Sequence, residues 1–102
     1  MDFQLFIIDD CPNSQPAASL LARALEAEGM SPNAFTTTVV ATDAQAQELG
    51  FHGSPTFAHN RTDLFPSATA PAVSCRLYQT TNGIAGLPTL EALRAAIRPH
   101  LV

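Results

Sequence analysis

The stretch FQLFIIDDCPNS, residues 3–14, places a cysteine where an apolar run gives way to a helical pattern. Residues 3–8 are rich in aromatic and branched apolar side chains and end at two carboxylates, which is typical of a buried central strand. A second stretch, GSPT at residues 53–56, places a proline at the start of a later strand. The chain therefore offers a thiol at a strand–helix junction and, about forty residues later, a proline at the mouth of a strand.

Apolar spacing and capping residues predict the other elements. We expect one helix over residues 15–28, a second over 43–49 with Thr42 or Asp43 as N-cap, and a third from Thr89 onward. Three further strands are expected, over residues 34–40, 56–58 and 76–79. The stretch 59–74 contains two prolines and has no clear period, which predicts a long loop. The resulting order, βαβαββα, predicts one α/β domain over residues 1–102, with a four-stranded mixed sheet flanked by helices on both faces.

Composition excludes several classes of protein. The chain has 102 residues, a net charge of −4 and only five basic residues, all arginine, so a nucleic-acid backbone and an anionic membrane are improbable partners. No segment approaches the length of about 20 apolar residues that spans a bilayer, and the N-terminus lacks the basic region of a signal peptide. Two well-separated cysteines do not form a disulfide framework. We therefore expect a cytoplasmic protein with reduced thiols.

Four motifs, in this order and spacing, give the chain a resemblance to a known family: DCPN at 10–13, LGFHGSPT at 49–56, SCRLY at 74–78 and GIAGLP at 83–88. With them the chain resembles the thioredoxin superfamily in its glutaredoxin-like form, and most closely a group of small bacterial thioredoxin-like proteins. The resemblance covers nearly the whole length. It implies a cis peptide before Pro55, close to Cys11, and a Ser54 whose N–H and C=O pair with a peptide or glutathione.

Cys11 is the predicted nucleophile. A thiol at a helix N-terminus is favoured as thiolate by the unpaired N–H groups there, if Cys11 is the N-cap and Pro12 the first helical residue. Alternatively, the helix begins near Ser14 because of Pro16, and the dipole then points less directly at the sulfur. The carboxylates of Asp9 and Asp10 and the absence of lysine oppose activation.

Ser14 occupies the place of the second thiol in a dithiol motif, and a hydroxyl can hydrogen-bond a thiolate but cannot form a disulfide. The predicted function is therefore monothiol thiol–disulfide exchange, with glutathione or a protein thiol as co-substrate and no other cofactor. The alternatives are a thiol of ordinary reactivity in a non-catalytic peptide- or partner-binding module, and thiolate binding of a soft metal or organomercurial. The predicted site comprises Cys11 and Ser14 as catalytic residues and, for substrate binding, Pro12, Asn13, His52, Ser54 and Pro55.

Two other groups leave alternatives open. A protonated His52 would stabilise a thiolate or a substrate carboxylate, or it is simply a solvated loop residue. Cys75 begins the predicted fourth strand, away from Cys11, and is expected to pack as a buried apolar residue; a Cys11–Cys75 disulfide is the alternative. The cysteines and histidines lack zinc-finger spacing, so no metal site is predicted.

Overall fold

Four strands form one mixed sheet in the computed structural model, which describes residues 3–9, 11–66 and 73–101. They are β1 (Phe3–Ile7), β2 (Phe35–Val39), β3 (Thr56–His59) and β4 (Thr62–Asp63), in the spatial order β2-β1-β3-β4. β1 runs parallel to β2 and antiparallel to β3, and β3 is antiparallel to β4. The apolar run of the N-terminal stretch is thus a central strand, paired on both sides.

Within the described ranges, three helices accompany the sheet: α1 (Ser14–Ala27), α2 (Asp43–Leu49) and α3 (Leu90–Ile97), the last followed by a 3₁₀ turn at Arg98–His100. The predicted caps are confirmed. The Thr42 hydroxyl oxygen accepts from the Gln45 N–H at 3.1 Å, and that of Thr89 accepts from the Ala92 N–H at 3.1 Å. Within the described residues no helix is long and apolar enough to cross a membrane.

The buried side chains form two clusters on opposite faces of the sheet. Phe3, Leu5 and Phe57 pack with residues of α1 and α3, whereas Phe6 and Ala58 pack with Val40, Phe51 and the α2 residue Ala46. Because successive residues of a strand point to opposite faces, α1 and α3 cover one face and α2 covers the other. The protein is therefore a mixed α/β fold whose sheet is enclosed on both sides.

The prediction of residues 76–79 as the fourth strand of this sheet is wrong. The fourth strand is Thr62–Asp63, which lies inside the predicted loop and follows a two-residue turn at Asn60 and Arg61, with φ of 50° and 68°. Such a pair of left-handed residues closes a tight hairpin whose twist matches the strands. The later segment forms a separate hairpin of β5 (Tyr78–Thr80) and β6 (Gly83–Ala85). Residues 67–72 of the predicted loop lie outside the described residues.

The C-terminal end of α1 is joined to α3 by an ionic contact. The Glu28 carboxylate accepts from Arg94 Nε at 2.7 Å and from Arg98 Nε at 3.0 Å. These hydrogen bonds, that of Arg98 first, hold the pKa of the Glu28 carboxyl below its usual value. The contact fixes the far end of the helix that follows Cys11.

Candidate functional site

Cys11 begins a tight turn that leads into α1. The Ser14 N–H donates to the Cys11 carbonyl oxygen at 3.1 Å, and the first helical bond runs from the Ala17 N–H to the Asn13 carbonyl oxygen at 2.9 Å. The N-cap is therefore Asn13, whose side chain makes no capping hydrogen bond. Of the two sequence alternatives, the later helix start is the observed one, and Cys11 is not the N-cap.

Pro16 explains the later start. It is the third residue of α1, a position whose N–H has no partner within a helix, so the missing donor costs no hydrogen bond. The electrostatic effect of a helix end falls off within the first turn, and Cys11 precedes the N-cap by two residues. The helix dipole is therefore a weaker source of thiolate stabilisation than the first alternative supposed.

The Cys11 sulfur lies against the peptide that precedes Pro55. Cys11 Sγ is 3.9 Å from the Ser54 carbonyl oxygen, to which the thiol can donate, and the Cys11 residue is only 8% exposed. The Ser54 side chain is also bonded, since its Oγ accepts from the Ile8 N–H at 3.2 Å. The Ser54–Pro55 peptide is cis, as the resemblance implies. Cys11, Ser54 and Pro55 thus come together at the carboxyl end of β1.

The outward edge of Ser54 is not open, contrary to the expectation that it pairs with a substrate peptide. Its N–H donates to the Ser74 carbonyl oxygen at 2.8 Å, and its carbonyl oxygen accepts from the Arg76 N–H at 2.9 Å. These two bonds make a parallel bridge between Ser54 and Cys75. A segment of the same chain, residues 73–77, therefore occupies the place that strand addition would give to a substrate.

Cys75 does not have either of the features expected of it. It is exposed rather than buried, and it lies beside Ser54 rather than at the far end of the sheet from Cys11. The expectation was wrong because it placed the residue on a strand of the main sheet, whereas the segment pairs with Ser54 alone before entering the β5–β6 hairpin. Both cysteines are free thiols.

Arg76 holds the 73–77 segment in place, although no sequence motif singled out this residue. Its guanidinium forms an ion pair with Asp63, N···O 2.7 Å, in which the two side chains are 7% and 12% exposed. It also donates to the hydroxyl oxygen of Thr56 at 3.3 Å and to the carbonyl oxygen of Phe65. The first residue of the segment is held as well, since the Val73 N–H donates to the Asp43 carboxylate at 3.0 Å.

Gly53 allows the close approach of this segment. A Cβ atom at Gly53 would lie 2.8 Å from the Arg76 Cβ, and the residue has a φ of +115°, which side-chain-bearing residues rarely adopt. The glycine of the GSPT motif thus has a definite packing role. It admits the Arg76 backbone next to the peptide that contacts Cys11.

Tyr78 joins the end of the segment to the start of β3. Its hydroxyl donates to the Pro55 carbonyl oxygen, and its ring lies 4.7 Å from the Arg76 guanidinium carbon. Burial raises the pKa of the Tyr78 phenol well above its ordinary value. Beside these residues lies an open groove of about 410 Å³, partly lined by Phe65, Pro66 and the 69%-exposed Leu77.

The remaining predicted residues of the Cys11 turn, Pro12, Asn13 and Ser14, make no hydrogen bond to the Cys11 sulfur among the described residues. Asn13 packs against Gly86, where a Cβ would overlap its side-chain amide, so the loop after β6 adjoins the Cys11 turn. Ser14 is half-buried and Pro12 is exposed; in the described part of the chain no hydrogen bond joins the Ser14 hydroxyl to the Cys11 sulfur. Their proposed roles stay predictions.

The charged and titratable neighbours of Cys11 are likewise only partly defined. His52 is half-buried, its Nδ1 atom has no hydrogen-bond partner among the described residues, and no hydrogen bond links it to Cys11. Asp9 is exposed, and Asp10 lies outside the described residues. Within the described ranges, no group of three or more histidine, cysteine or acidic side chains is arranged to hold a metal ion. The soft-metal alternative, which requires only one or two thiolates, stays a prediction.

Comparison of the chain with protein-family models, with curated proteins and with solved structures finds no match. The resemblance to thioredoxin-like proteins therefore rests on the four sequence motifs and stays a prediction.

Proposed function

We propose that this chain is a thioredoxin-like protein that carries out thiol–disulfide exchange through Cys11. The observation that carries the proposal is the placement of the Cys11 sulfur 3.9 Å from the Ser54 carbonyl oxygen, at the carboxyl end of a central strand. A nucleophilic sulfur beside a fixed peptide at the end of a sheet is the arrangement that disulfide exchange needs, because the incoming disulfide must be held in line with the attacking sulfur.

The order of the strands supports the same proposal. The edge strand β2 is parallel to the central strand β1 and is joined to it through α1, and β3 and β4 follow as antiparallel strands on the other side of β1. This order supports a glutaredoxin-like fold. The final helix packs beside α1 on one face and α2 lies on the other. In such a fold the turn before α1 is where exchange chemistry takes place, and this is the position of Cys11.

A second candidate is a binding module without catalysis, and two observations favour it. The Cys11 thiol is almost completely buried and faces a carbonyl oxygen, which can accept from a thiol but cannot donate to a thiolate. The open groove beside Tyr78 presents apolar surface that the exchange reaction does not use. In this case the function would depend on the groove and not on the sulfur.

Cys75→Ser removes the exposed thiol and allows Cys11 to be tested alone. We expect the reduced variant, treated with glutathione disulfide and quenched in acid, to gain one glutathione by intact mass, whereas Cys11→Ser/Cys75→Ser gains none. Cys75→Ser should also reduce a mixed disulfide between glutathione and a small thiol, with glutathione as reductant. If native Cys75→Ser takes up no glutathione but does so in concentrated urea, the thiol is merely shielded, and the binding module is the better conclusion.

A further inference from the structure

We infer that Cys75 is the resolving thiol for Cys11, so that the protein cycles between a dithiol and a Cys11–Cys75 disulfide. The inference rests on the proposed exchange through Cys11 and changes its type, from a monothiol to a dithiol reaction. The two thiols belong to two separate segments that contact Ser54, rather than to one turn.

The Ser54 carbonyl group connects the two cysteines. Its oxygen is 3.9 Å from the Cys11 sulfur and 2.9 Å from the amide nitrogen of Arg76, the residue directly after Cys75. Cys75 itself is the residue bridged to Ser54. Paired strands lie about 4.8 Å apart, so the Cys75 backbone is a direct neighbour of the peptide that the Cys11 sulfur contacts.

The second thiol of a dithiol motif is absent from the turn, where Ser14 stands in its place. The structure brings another thiol to the corner by a different route. Residues 73–77 lie where a substrate strand would pair, and the residue of that segment placed opposite Ser54 is a cysteine. A cysteine-containing substrate peptide would present its sulfur in the same relation to Cys11.

The segment is held firmly enough to act as a defined partner. The buried ion pair of Arg76 with Asp63, and the Val73 N–H donating to Asp43, fix it on both sides of Cys75. Cys75 is exposed while Cys11 is buried, so an incoming disulfide reaches Cys11 only when the Cys11 turn opens locally. The turn then closes again and brings the new mixed disulfide back beside the segment.

The reaction balances in two steps. The Cys11 thiolate attacks one sulfur of the substrate disulfide, the substrate S–S bond breaks, and the other substrate sulfur leaves with the bonding pair and takes up a proton. The Cys75 thiolate then attacks the Cys11 sulfur, and the remaining substrate thiol leaves in the same way. The substrate gains two electrons, the protein loses two in forming the Cys11–Cys75 bond, and an external low-molecular-weight thiol or dithiol protein returns them.

Limiting glutathione disulfide, added to the reduced protein and followed by alkylation and non-reducing tryptic mapping, tests the inference. Each cysteine lies in its own tryptic peptide, 1–23 for Cys11 and 62–76 for Cys75. The wild type should pass through a single glutathione adduct and lose it as peptides 1–23 and 62–76 become linked in a monomer. Cys75→Ser should stop at the adduct on Cys11.

A displaced thiol is the matched control. Cys75→Ser/Leu77→Cys moves the exposed sulfur two residues along, to a side chain that is 69% exposed and outside the Ser54 bridge. We expect its link to Cys11 to form at least about tenfold more slowly than the wild-type link, because the effective concentration of the second thiol is lower.

The possible failures separate the two proposals. If Cys75→Ser forms the Cys11 adduct but the wild type ends with independent adducts or with Cys75–Cys75 dimers, the resolving role is overturned and the monothiol function stands. Equal rates for the two positions of the second thiol would also overturn it. If Cys11 in native Cys75→Ser forms no adduct, the exchange function itself fails, and the resolving role fails with it.

Discussion

The two segments that contact Ser54, the Cys11 turn and residues 73–77, differ in how they are held. The Cys11 turn contacts the Ser54 carbonyl oxygen through a thiol at 3.9 Å and enters α1 without a side-chain cap. The 73–77 segment makes two backbone hydrogen bonds to Ser54 and has a buried arginine with three polar partners. Among the described residues, the 73–77 segment therefore has stronger polar contacts around Ser54 than the Cys11 turn.

This difference suggests that the position of the candidate site is defined mainly by residues outside the cysteine motif. A weak S–H···O contact adds little stability, whereas breaking a buried ion pair leaves a charge without a partner and costs several kcal/mol. The turn can therefore open while Ser54 and the 73–77 segment beside it keep their positions. An exchange protein needs this combination, because the sulfur must become accessible without loss of the surface that holds the incoming disulfide.

Removal of the Arg76 side chain should change the free energy of unfolding more than any other substitution considered for these two segments. Arg76→Ala leaves the 12%-exposed Asp63 carboxylate and the Phe65 carbonyl oxygen without their partner, and we expect the free energy of unfolding to fall by about 3–5 kcal/mol. Urea denaturation measures it. Arg23→Ala, at an exposed position of α1, is the control and should change stability by less than about 0.5 kcal/mol. A loss below about 1 kcal/mol for Arg76→Ala would show that the segment is not held by the ion pair.

Local sequence signals were sufficient to predict those elements whose bounds depend on hydrogen bonds between residues close in the chain. The bounds of α2 and the caps Thr42 and Thr89 follow from short-range hydrogen bonding, and all are found. The meeting of Cys11 with Ser54 was implied by the resemblance, and the geometry agrees with it. The start of α1 was left between two alternatives, and the position of Pro16 relative to the first helical hydrogen bond accounts for the observed one.

The parts that were missed depend on long-range contacts or on weak local signals. The turn before β4 uses Arg61 in a left-handed conformation, without the glycine that usually marks such a turn, and the strand has only two residues. Arg76 stands in a strand-like run, and nothing in that run indicates that its partner is Asp63, thirteen residues earlier. Pairing of the 73–77 segment with Ser54 requires Gly53 as a close-approach residue, which becomes evident only once both segments are placed.

Substitution of Gly53 by alanine should cause the next largest loss of stability, and the same substitution at Gly83 is its control. Both have positive φ, +115° and +102°, but a Cβ at Gly53 would meet the Arg76 Cβ at 2.8 Å, whereas a Cβ at Gly83 would enter open space. Gly83→Ala should cost about 1–2 kcal/mol from backbone strain alone. We expect Gly53→Ala to cost about 1–3 kcal/mol more, because the 73–77 segment must shift.

Thiol alkylation gives a second readout of the same displacement. In the Cys75→Ser background, Gly53→Ala should increase the rate at which Cys11 reacts with iodoacetamide under native conditions, since the segment that covers the Ser54 edge has moved. Gly83→Ala in the same background should leave that rate unchanged. Equal stability losses for the two alanine variants, together with equal alkylation rates, would mean that the segment does not pack tightly on Gly53.

The smallest expected change in stability concerns Tyr78, which links the 73–77 segment to Pro55. This change occurs at high pH. The pKa of the Tyr78 phenol is raised by burial, so the folded protein keeps a proton that the unfolded chain releases near pH 10. Stability from this group is therefore complete below about pH 10 and is lost as the pH rises above it, by about 1.4 kcal/mol per pH unit. Tyr78 is the only tyrosine and the chain has no lysine, so few other groups titrate in this range.

Urea unfolding of the wild type and of Tyr78→Phe at pH 9 and pH 11 tests the alkaline effect. The phenylalanine variant lacks the hydrogen bond to the Pro55 carbonyl oxygen and should be less stable by about 1 kcal/mol at pH 9. Between the two pH values the wild type should lose about 1.4 kcal/mol more than the variant, because both contain the same cysteines and arginines and differ only in the phenol. The phenolate absorbance of the wild type should rise together with unfolding. A phenol that ionises before the chain unfolds would place Tyr78 in contact with solvent, and the 73–77 segment would then be as loosely held at this end as the Cys11 turn.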